Sequence, residues 1–380
     1  SYGSFSQTWD AENRLVTVTE TGSGQTTTFA YDPDGQRVAT ITPNSVIYSP
    51  YPYYEEEVSL MPMGEVGLLD DILTHTPKTI MLAQNYNNPV VFAQPLSRDG
   101  GDTAVVRITD VRSDRFTLYI QEAPNKDGGH TTEAVSYLVL EAGNWLLPDG
   151  TQLEVGRQTT AATVGPGINN QWLSVNFTSN FKTTPVVISQ VQTNNDPYWV
   201  KTRQQNSSVS GVQIAMEQDS GRSNVHGAEI IGWLAIEPGT GNWAGHLFEA
   251  GNTADVVTHN WHQLNFSQNF AAKPRVAAAI ATYDGGDPAH LRYDQASHSP
   301  EGVRLYIEED TVTDSEINHT TEVVSYLAVE GDGILKAIDN GLTQRITYAI
   351  AGQTVAVRVT GDPDPANNGL HHLYTDHLGS

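Results

Sequence analysis

The sequence predicts an all-β protein in which three small antiparallel β-sandwich domains interrupt a separate β-sheet fragment. Nearly identical segments begin at His130, His226 and His319, 96 and then 93 residues apart. That spacing suits tandem domains and is too wide for a solenoid. Each segment is a β-branched and aromatic run that ends in a glutamate, which is typical of a mostly buried strand. The 33 Gly and 19 Pro fit turn-rich β structure.

The composition excludes several classes of function. A formal net charge of −24 repels nucleic acid and anionic membranes, so neither is an expected partner. The absence of cysteine excludes disulfides, thiolate catalysis and cysteine-based zinc sites. No apolar run reaches the roughly 20 residues of a membrane span, so we expect no membrane insertion. The start lacks a signal peptide and both ends look cut, so we expect a piece of a larger protein.

Residues 1–57 carry a short repeat of their own. Trp9-Asp10 and Tyr31-Asp32 each precede a polar turn, an arginine and an alternating strand, which predicts tight turns between paired strands. The repeat resembles the YD-repeat (Rhs) family, whose repeats build a spiralling β-sheet shell. Residues 346–358 resemble the gly-gln-arg hairpin of that family, and 374–380 resemble its Asp-His-Leu-Gly-Ser signature.

A long insertion separates the two halves of this resemblance. In the YD-repeat family a segment like 49–58 is normally followed almost directly by the second hairpin. We therefore expect one β-sheet fragment, with halves at 1–60 and 340–380, interrupted by a module at a hairpin tip. Such an insertion costs little, because the loop-closure entropy grows only logarithmically with length.

The insertion divides into three copies, at 75–147, 152–243 and 246–333. Copies two and three share a Trp-x4-Phe strand, a Pro-apolar strand, a polar loop and two more strands before the repeated segment, whereas copy one is degenerate at its start. Trp172 and Trp261 on the first strand are predicted to lie in the core. Short strands between Gly, Pro, Asn and Asp turns predict a small sandwich for each copy. The middle strands are predicted at 105–109, 116–120, 199–204, 212–216, 290–294 and 303–307.

This order of features resembles the H-type lectin family over residues 78–331. The resemblance rests on the Trp-x4-Phe frame, the Pro-Val-Val-Ile strand, the polar loop and the final aromatic-Leu-Ala-Ile-Glu strand. Members of that family assemble as trimers of sandwiches, with N-acetylgalactosamine or galactose sites near the subunit boundaries. The resemblance therefore implies a pseudo-threefold unit within one chain.

The resemblance places sugar contacts on the strand after each polar loop. A sugar-binding arginine of the family corresponds to Arg107 and Arg203, and copy three offers Arg292 two residues earlier. The positions of the family's sugar-binding histidine hold Lys126, Arg222 and Ser315. This departure puts N-acetylgalactosamine specificity in question and leaves an acidic or differently linked sugar open.

The loops supply further candidate contacts. Tyr198 and Trp199 offer aromatic rings that can stack on a pyranose. Paired carboxylates at 99–102 and 284–287 suit calcium, but two are fewer than the six to eight oxygens it takes, and Asp-Gly-Gly is also an ordinary hairpin turn. Calcium is therefore the one cofactor left open, and no metal site is predicted. The loop carboxylates in the predicted carbohydrate-binding set are Asp102, Asp196 and Asp287.

Each repeated segment opens with His-x-x-Glu, a pattern that can ligate metal or act as acid and base. Residues three apart on a strand point to opposite faces, so the pair shares a face only in a turn. One interpretation is a strand-entry turn whose glutamate binds backbone amides or a neighbour's arginine. The other is ligand or metal contact, which keeps His130, His226 and His319 among the candidate sugar contacts. No nucleophile elbow, zinc-protease motif or phosphate loop occurs, so we expect no enzyme and no catalytic residue.

The sequence thus predicts a multivalent carbohydrate-binding adhesion module, extracellular or at the cell surface, carried on a YD-repeat protein. Its partners would be glycans or glycoconjugates, with self-association left open. Sites near millimolar, worth about −4 kcal/mol each, gain affinity when three engage one surface. The alternative is a structural or assembly module of a surface filament or Rhs-type toxin shell that binds no sugar.

Overall fold

The computed structural model describes residues 4–22, 24–51, 53–350, 353–360 and 365–373. Within these residues the chain is almost entirely β, and one 3-10 turn, Pro365–Asn367, is the helical exception. The all-β prediction is confirmed. No helix in the described part of the chain has the length and apolar character needed to cross a bilayer. The signature at 374–380 lies outside the described residues.

The first strands form a meander in which each pairs with the next. The turn after the first strand is closed by Asp10, whose carboxylate accepts the Arg14 N–H at 2.8 Å. Gly35 adopts a φ of 82° in the second such turn, where glycine is favoured. These are the tight turns that the aromatic-Asp repeat predicted. The strands are β1 (Phe5–Trp9), β2 (Leu15–Glu20), β3 (Thr26–Tyr31), β4 (Arg37–Ile41) and β5 (Ser45–Tyr51).

The next seven strands build the first unit of the inserted module. They are β6 (Tyr54–Leu73), β7 (Lys78–Met81), β8 (Pro89–Phe92), β9 (Leu96–Ser97), β10 (Ala104–Thr109), β11 (Arg115–Glu122) and β12 (Glu133–Glu141). One sheet has the order β6-β12-β8 and the other has the order β10-β11-β7. Strand β6 also pairs with β5, so it belongs to the meander and to the unit.

The second and third units repeat this plan. The second contains β13 (Gly143–Leu146), β14 (Gln152–Thr160), β15 (Thr163–Val164), β16 (Leu173–Asn176), β17 (Val186–Val191), β18 (Val200–Ser208), β19 (Gly211–Gln218) and β20 (Glu229–Ile236). The third contains β21 (Gly239–Trp243), β22 (His246–Asn252), β23 (His262–Asn265), β24 (Pro274–Ile280), β25 (Ala289–Ser299), β26 (Gly302–Glu309) and β27 (Val324–Glu330). Their inward sheets have the orders β13-β14-β20-β17 and β21-β22-β27-β24. In the outward sheet of the second unit, β19 pairs with β15, β16 and β18. The outward sheet of the third unit has the order β23-β26-β25-β9, in which β9 comes from the first unit.

The chain leaves the third unit through β28 (Gly333–Ile350), followed by β29 (Gln353–Thr360) and β30 (Gly369–His372). Strand β28 pairs antiparallel with β6, from Gly333 opposite Val66 to Ile346 opposite Tyr54. The entry and exit strands therefore form a two-stranded ribbon, and the meander and the first unit share one 11-stranded sheet. The chain enters the inserted module through β6 and leaves it through β28, at the far end of this ribbon.

Each unit lends a strand to the next one. Strand β13 follows the last strand of the first unit and pairs with β14, β21 follows the second and pairs with β22, and β28 follows the third and pairs with β6. The lent strands begin at Gly143, Gly239 and Gly333, whose φ values of 151°, 148° and 138° favour glycine. The three units thus close into a ring. Each inward sheet also uses strands that precede the predicted starts at 75, 152 and 246.

Four large hydrophobic cores hold the ring together, and a small fifth cluster joins residues of all three units: Val105, Ala123, Trp199 and Val312. One large core lies between the two sheets of each unit, and the fourth is shared by the three inward sheets. In β12, Leu138 and Leu140 face the shared core, while Val135 and Val139 face the core of the first unit. Burial on both faces explains why the repeated segment is continuously apolar.

The prediction that Trp172 and Trp261 lie in the core is wrong. Trp261 is 42% exposed, and Trp172 is half-buried with its ring 5.3 Å from that of Tyr283. Both precede the strand instead of lying on it. The inward positions of β16 and β23 are held by the smaller Val175 and Leu264.

Candidate functional site

The polar loops and the His-x-x-Glu turns meet where the units touch. The strand pairings place the three predicted arginines at equivalent positions, opposite the same position of the following strand. Arg292 is not displaced, since the hairpin after it is two residues longer than its counterparts. The pairs are Arg107–Tyr119, Arg203–Ala215 and Arg292–Tyr306.

Each arginine reaches the His-x-x-Glu glutamate of another unit. All three arginines are at most 1% exposed and all three glutamates are fully buried. We name the contacts junction 1/2, junction 2/3 and junction 3/1 after the units that they join. The ion pairs are Arg107–Glu229 at 3.7 Å, Arg203–Glu322 at 2.6 Å and Arg292–Glu133 at 2.9 Å, in that order.

At junction 3/1 a second carboxylate completes the arginine's contacts. Arg292 Nη1 donates to Glu308 Oε2 at 2.8 Å, and its Nε donates to the Ser97 carbonyl at 2.8 Å. Arg98 Nε lies 3.0 Å from the other oxygen of Glu308. Burial raises the pKa of Glu308, but the Arg292 charge and the contact with His290 outweigh it and hold that pKa far below its usual range.

Junction 2/3 has the same arrangement. Arg203 Nη1 lies 3.3 Å from both carboxylate oxygens of Glu217, and Lys201 Nζ lies 3.5 Å from Glu217 Oε2. Burial raises the pKa of Glu322, but hydrogen bonding to His319 and the Arg203 charge outweigh it and bring the pKa to about 2. A charged network of this kind is sealed from water.

Junction 1/2 differs because Gln121 stands where the other two junctions have the second glutamate. Arg107 donates to the Tyr198 carbonyl at 2.8 Å and to Asn194 Oδ1 at 2.9 Å, and Glu229 is more distant. Burial dominates here and lowers the pKa of Arg107. This junction therefore depends more on neutral hydrogen bonds than the other two do.

The glutamate of each His-x-x-Glu segment also binds backbone amides. Glu133 accepts the N–H groups of Asp99 at 2.9 Å and Gly100 at 2.8 Å, together with the Ser97 hydroxyl. His130 precedes β12, so the pair lies in a turn and shares a face. The structure thus matches the first interpretation, in which the glutamate binds backbone amides and an arginine of a neighbouring copy.

The histidines sit between this glutamate and a side chain of the strand before it. His130 Nδ1 lies 2.8 Å from Glu122 Oε1 and its Nε2 lies 2.9 Å from Glu133 Oε1. His319 is held in the same way by Glu309 and Glu322, at 2.5 and 3.1 Å. In the second unit the equivalent of Glu122 is Gln218. The side chains of all three histidines are at most 1% exposed.

Burial separates the predicted sugar contacts into two groups. Arg107, Arg203, Arg292 and the three histidines are enclosed in the junctions, so these predicted sugar contacts do not face solvent. Trp199 is 1% exposed and its indole N–H donates to the Gln121 carbonyl at 3.1 Å, so its ring is enclosed as well.

The second group faces solvent. Tyr198 is 45% exposed, with the Arg222 guanidinium carbon 3.1 Å from its ring centre. Asp102 and Asp287 are also accessible. Asp196 is not equivalent to them, because the loops have the same length and Tyr198 takes the shared position; the Asp196 carboxylate instead accepts the Gly227 N–H at 2.8 Å.

The loop carboxylates form two acidic groups. Asp102 lies near Glu122 and Asp127, and the equivalent group is Asp287, Glu309 and Glu316. Lys126 Nζ lies 3.5 Å from Asp102. The Asp99 carboxylate lies 3.0 Å from the Ser97 hydroxyl oxygen and does not join the group. Acidic side chains on loops often cluster without an ion, and we assign no metal site to them.

Sequence reasoning missed two glutamines that join the first two units. Gln192 Oε1 accepts the Val91 N–H at 2.8 Å, and its Nε2 donates to the Val91 carbonyl at 2.7 Å. Gln190 Oε1 accepts the Ala93 N–H at 2.6 Å. The two amides thus pair with the edge of β8 as a strand would. The signal was Gln-x-Gln at the end of an otherwise apolar strand.

Comparisons with known proteins reach two parts of the chain. Residues 9–47 match the RHS Repeat family model, in agreement with the YD-repeat resemblance of the meander. Halomucin of Haloquadratum walsbyi is 34% identical over 262 residues, which is 66% of this chain and 3% of halomucin. The chain therefore spans a small fraction of that relative. No solved structure matches the chain significantly.

Proposed function

We propose that this chain is a structural module of a large cell-surface or secreted repeat protein, in which a rigid three-unit ring is carried on an Rhs-type sheet. The RHS repeat and the similarity to halomucin favour a surface or extracellular setting. The ring closure is the observation that carries the proposal: each unit lends the next a strand, and an arginine of each is buried against a glutamate of another.

The chemistry of the junctions supports a structural function over a binding one. An arginine that contacts a sugar must present its donors to solvent in the free protein. Here the Nη groups of Arg107, Arg203 and Arg292 donate to carboxylates, backbone carbonyls and side-chain amides. The Nε groups of Arg107 and Arg203 are buried, with no hydrogen-bond partner among the described residues. Exposing one would leave buried carboxylates unpaired, at a cost of about 3–5 kcal/mol. Such groups fix the geometry of the ring.

A second candidate is multivalent carbohydrate binding, in keeping with the H-type lectin resemblance of the three copies. The exposed Tyr198 beneath Arg222 favours it, because an aromatic ring and a fixed cation can together hold a sugar ring. In this candidate the contacts are Tyr198 and the accessible Asp102 and Asp287, and the buried arginines only position them.

A glycan array probed with the full chain at high surface density distinguishes the two candidates. The structural proposal predicts no glycan retained above background. Binding that free sugar inhibits, and that Tyr198→Ala abolishes, would overturn it in favour of the second candidate. Tyr51→Ala is a matched control, since Tyr51 is 69% exposed on the meander, away from the loops.

A further inference from the structure

The three junctions differ in the number of buried carboxylates that they contain. Junction 3/1 has Arg292 and Arg98 in ion-pair contact with Glu133 and Glu308, and Glu122 is added behind His130. That is two basic side chains against three carboxylates. The count is the same at junction 2/3, where the groups are Arg203, Lys201, Glu217, Glu322 and Glu309.

Junction 1/2 lacks both extra carboxylates. Gln121 replaces the glutamate that faces the arginine, and Gln218 replaces the one that faces the histidine. Arg107 and Glu229 then form the one fully buried arginine–carboxylate pair among the described residues of this junction, and the partly exposed Asp196 lies 3.8 Å from His226 Nδ1. At the positions that face the arginine and the histidine, junction 1/2 has two glutamines and each of the other junctions has two glutamates. The two positions therefore vary together, and the charge of the junction varies with them.

The hydrogen bonds of two histidines indicate protonated imidazoles, which add positive charge at junctions 3/1 and 2/3. A carboxylate only accepts hydrogen bonds, so an imidazole that bonds one carboxylate through each nitrogen must carry hydrogen on both. His130 does so with Glu122 and Glu133, and His319 does so with Glu309 and Glu322. His226 meets an amide at Nδ1, and its Nε2 lies 3.5 Å from Glu229 Oε1, a longer contact than those of His130 and His319 with their glutamates.

We propose that His130 and His319 are proton-dependent latches, which hold junctions 3/1 and 2/3 closed while protonated and release them when the proton is lost. The loss of either proton leaves two buried carboxylates facing a neutral ring, with only one N–H to share. Junction 1/2 has no such latch and serves as an internal reference.

The groups that face each latch come from every element packed against it. Around His130 they are Glu122 of β11, Glu133 of the turn and Arg292 of β25, with Asp102, Lys126 and Asp127 beyond Glu122 and His75 on the His130 carbonyl. Around His319 they are Glu309 of β26, Glu322 of the turn and Arg203 of β18, with Asp287 and Glu316 beyond Glu309 and His259 on the His319 carbonyl.

The sign of the pH effect follows from these surroundings. Burial alone lowers the pKa of His130 and His319, but the hydrogen bonds to their glutamates outweigh burial and raise both above the ordinary value. A group with a raised pKa stabilises the fold fully below its unfolded pKa of about 6.5, and that contribution is lost as the pH rises through the folded pKa. The latches therefore open on alkalinisation.

Amide hydrogen exchange of the full chain between pH 6 and pH 9, corrected for the intrinsic pH dependence, tests the proposal. Protection should fall in the loops 97–102 and 282–287, by up to about tenfold per pH unit for each histidine. The equivalent loop 193–198 should keep its protection. An equal fall in all three loops, or no fall in any, would overturn the proposal.

Two substitutions exchange the junction types. Glu122→Gln should remove the pH dependence of 97–102 and leave that of 282–287. Gln218→Glu should create the same dependence at 193–198, and it remains informative if Glu122→Gln fails to fold. A Gln218→Glu protein whose 193–198 loop is still insensitive to pH would contradict the latch.

Discussion

Replacement of Arg203 by methionine tests whether the junction arginines hold the ring. Methionine keeps most of the aliphatic length but leaves Glu217 and Glu322 buried without the guanidinium. Breaking a buried ion pair by removing one partner costs about 3–5 kcal/mol. We expect Arg203→Met to lower the free energy of unfolding by an amount in that range.

The same substitution at junction 1/2 should cost less. Arg107 lies 3.7 Å from its carboxylate, and Arg107→Met mainly removes hydrogen bonds to the Tyr198 carbonyl and Asn194. Unpaired neutral groups of this kind cost about 1–3 kcal/mol. Arg304→Met is the matched control, because that side chain is 46% exposed in its ion pair and should change stability by less than about 1 kcal/mol.

Urea unfolding followed by tryptophan fluorescence, at pH 6 and constant salt, measures these differences. A rescue variant sharpens the test: Glu217→Gln and Glu322→Gln, added to Arg203→Met, remove the unpaired charges and should restore at least half of the lost stability. If Arg203→Met costs no more than Arg304→Met, or if the rescue variant is less stable than Arg203→Met, the buried-charge reasoning fails.

Three further predictions concern acid stability and packing between units. Hydrogen bonds and nearby charges hold the pKa of Glu229 and Glu322 at about 2. The stability that these carboxylates contribute above about pH 4.5 should therefore be lost as the pH falls through 2. Denaturation at fixed urea between pH 5 and 2 measures this loss, and a flat profile would contradict the prediction. Gly232→Ala places a methyl group against a valine of the first unit, where overpacking costs about 1–3 kcal/mol; a thermal midpoint equal to that of the parent chain would refute the close contact. Gln192→Leu leaves the N–H and C=O of one residue in β8 unpaired and should cost about 2–4 kcal/mol in urea unfolding, whereas a neutral effect would show that the glutamine pairing is dispensable.

The repeats and the strands could be predicted from the sequence because they depend on local patterns. The apolar run at 135–141 and the Gly and Pro turns around it are features of neighbouring residues. The register of the polar loops was harder, since Asp196 was matched to Asp102 and Asp287 by residue type. Counting from the hydroxyl residue before the loop to the arginine after it would have matched Tyr198 to them instead.

The burial of the junction arginines could not be predicted in that way. A lone arginine on a strand has the same local pattern whether it faces solvent, a sugar or another unit. The partner of Arg107 lies 122 residues away and the partner of Arg292 lies 159 residues away. The His-x-x-Glu turn was interpretable in part, because parity on a strand limits the shared-face geometry to a turn. The second carboxylates Glu217 and Glu308 gave no separate signal.

The ribbon of β6 and β28 also determines how the chain would respond to tension. Tyr54 and Ile346 are opposite each other at the meander end of the ribbon. A pull that draws β5 and β29 apart, the strands on either side of the ribbon, would apply force to the ribbon at that end. Its hydrogen bonds would then break one after another. The ring begins at Gly64, which pairs with both β28 and β12, so it would feel little force until the bonds of β28 with Tyr54 to Pro62 of β6 had opened. Under tension the ribbon would therefore open before the ring is stretched.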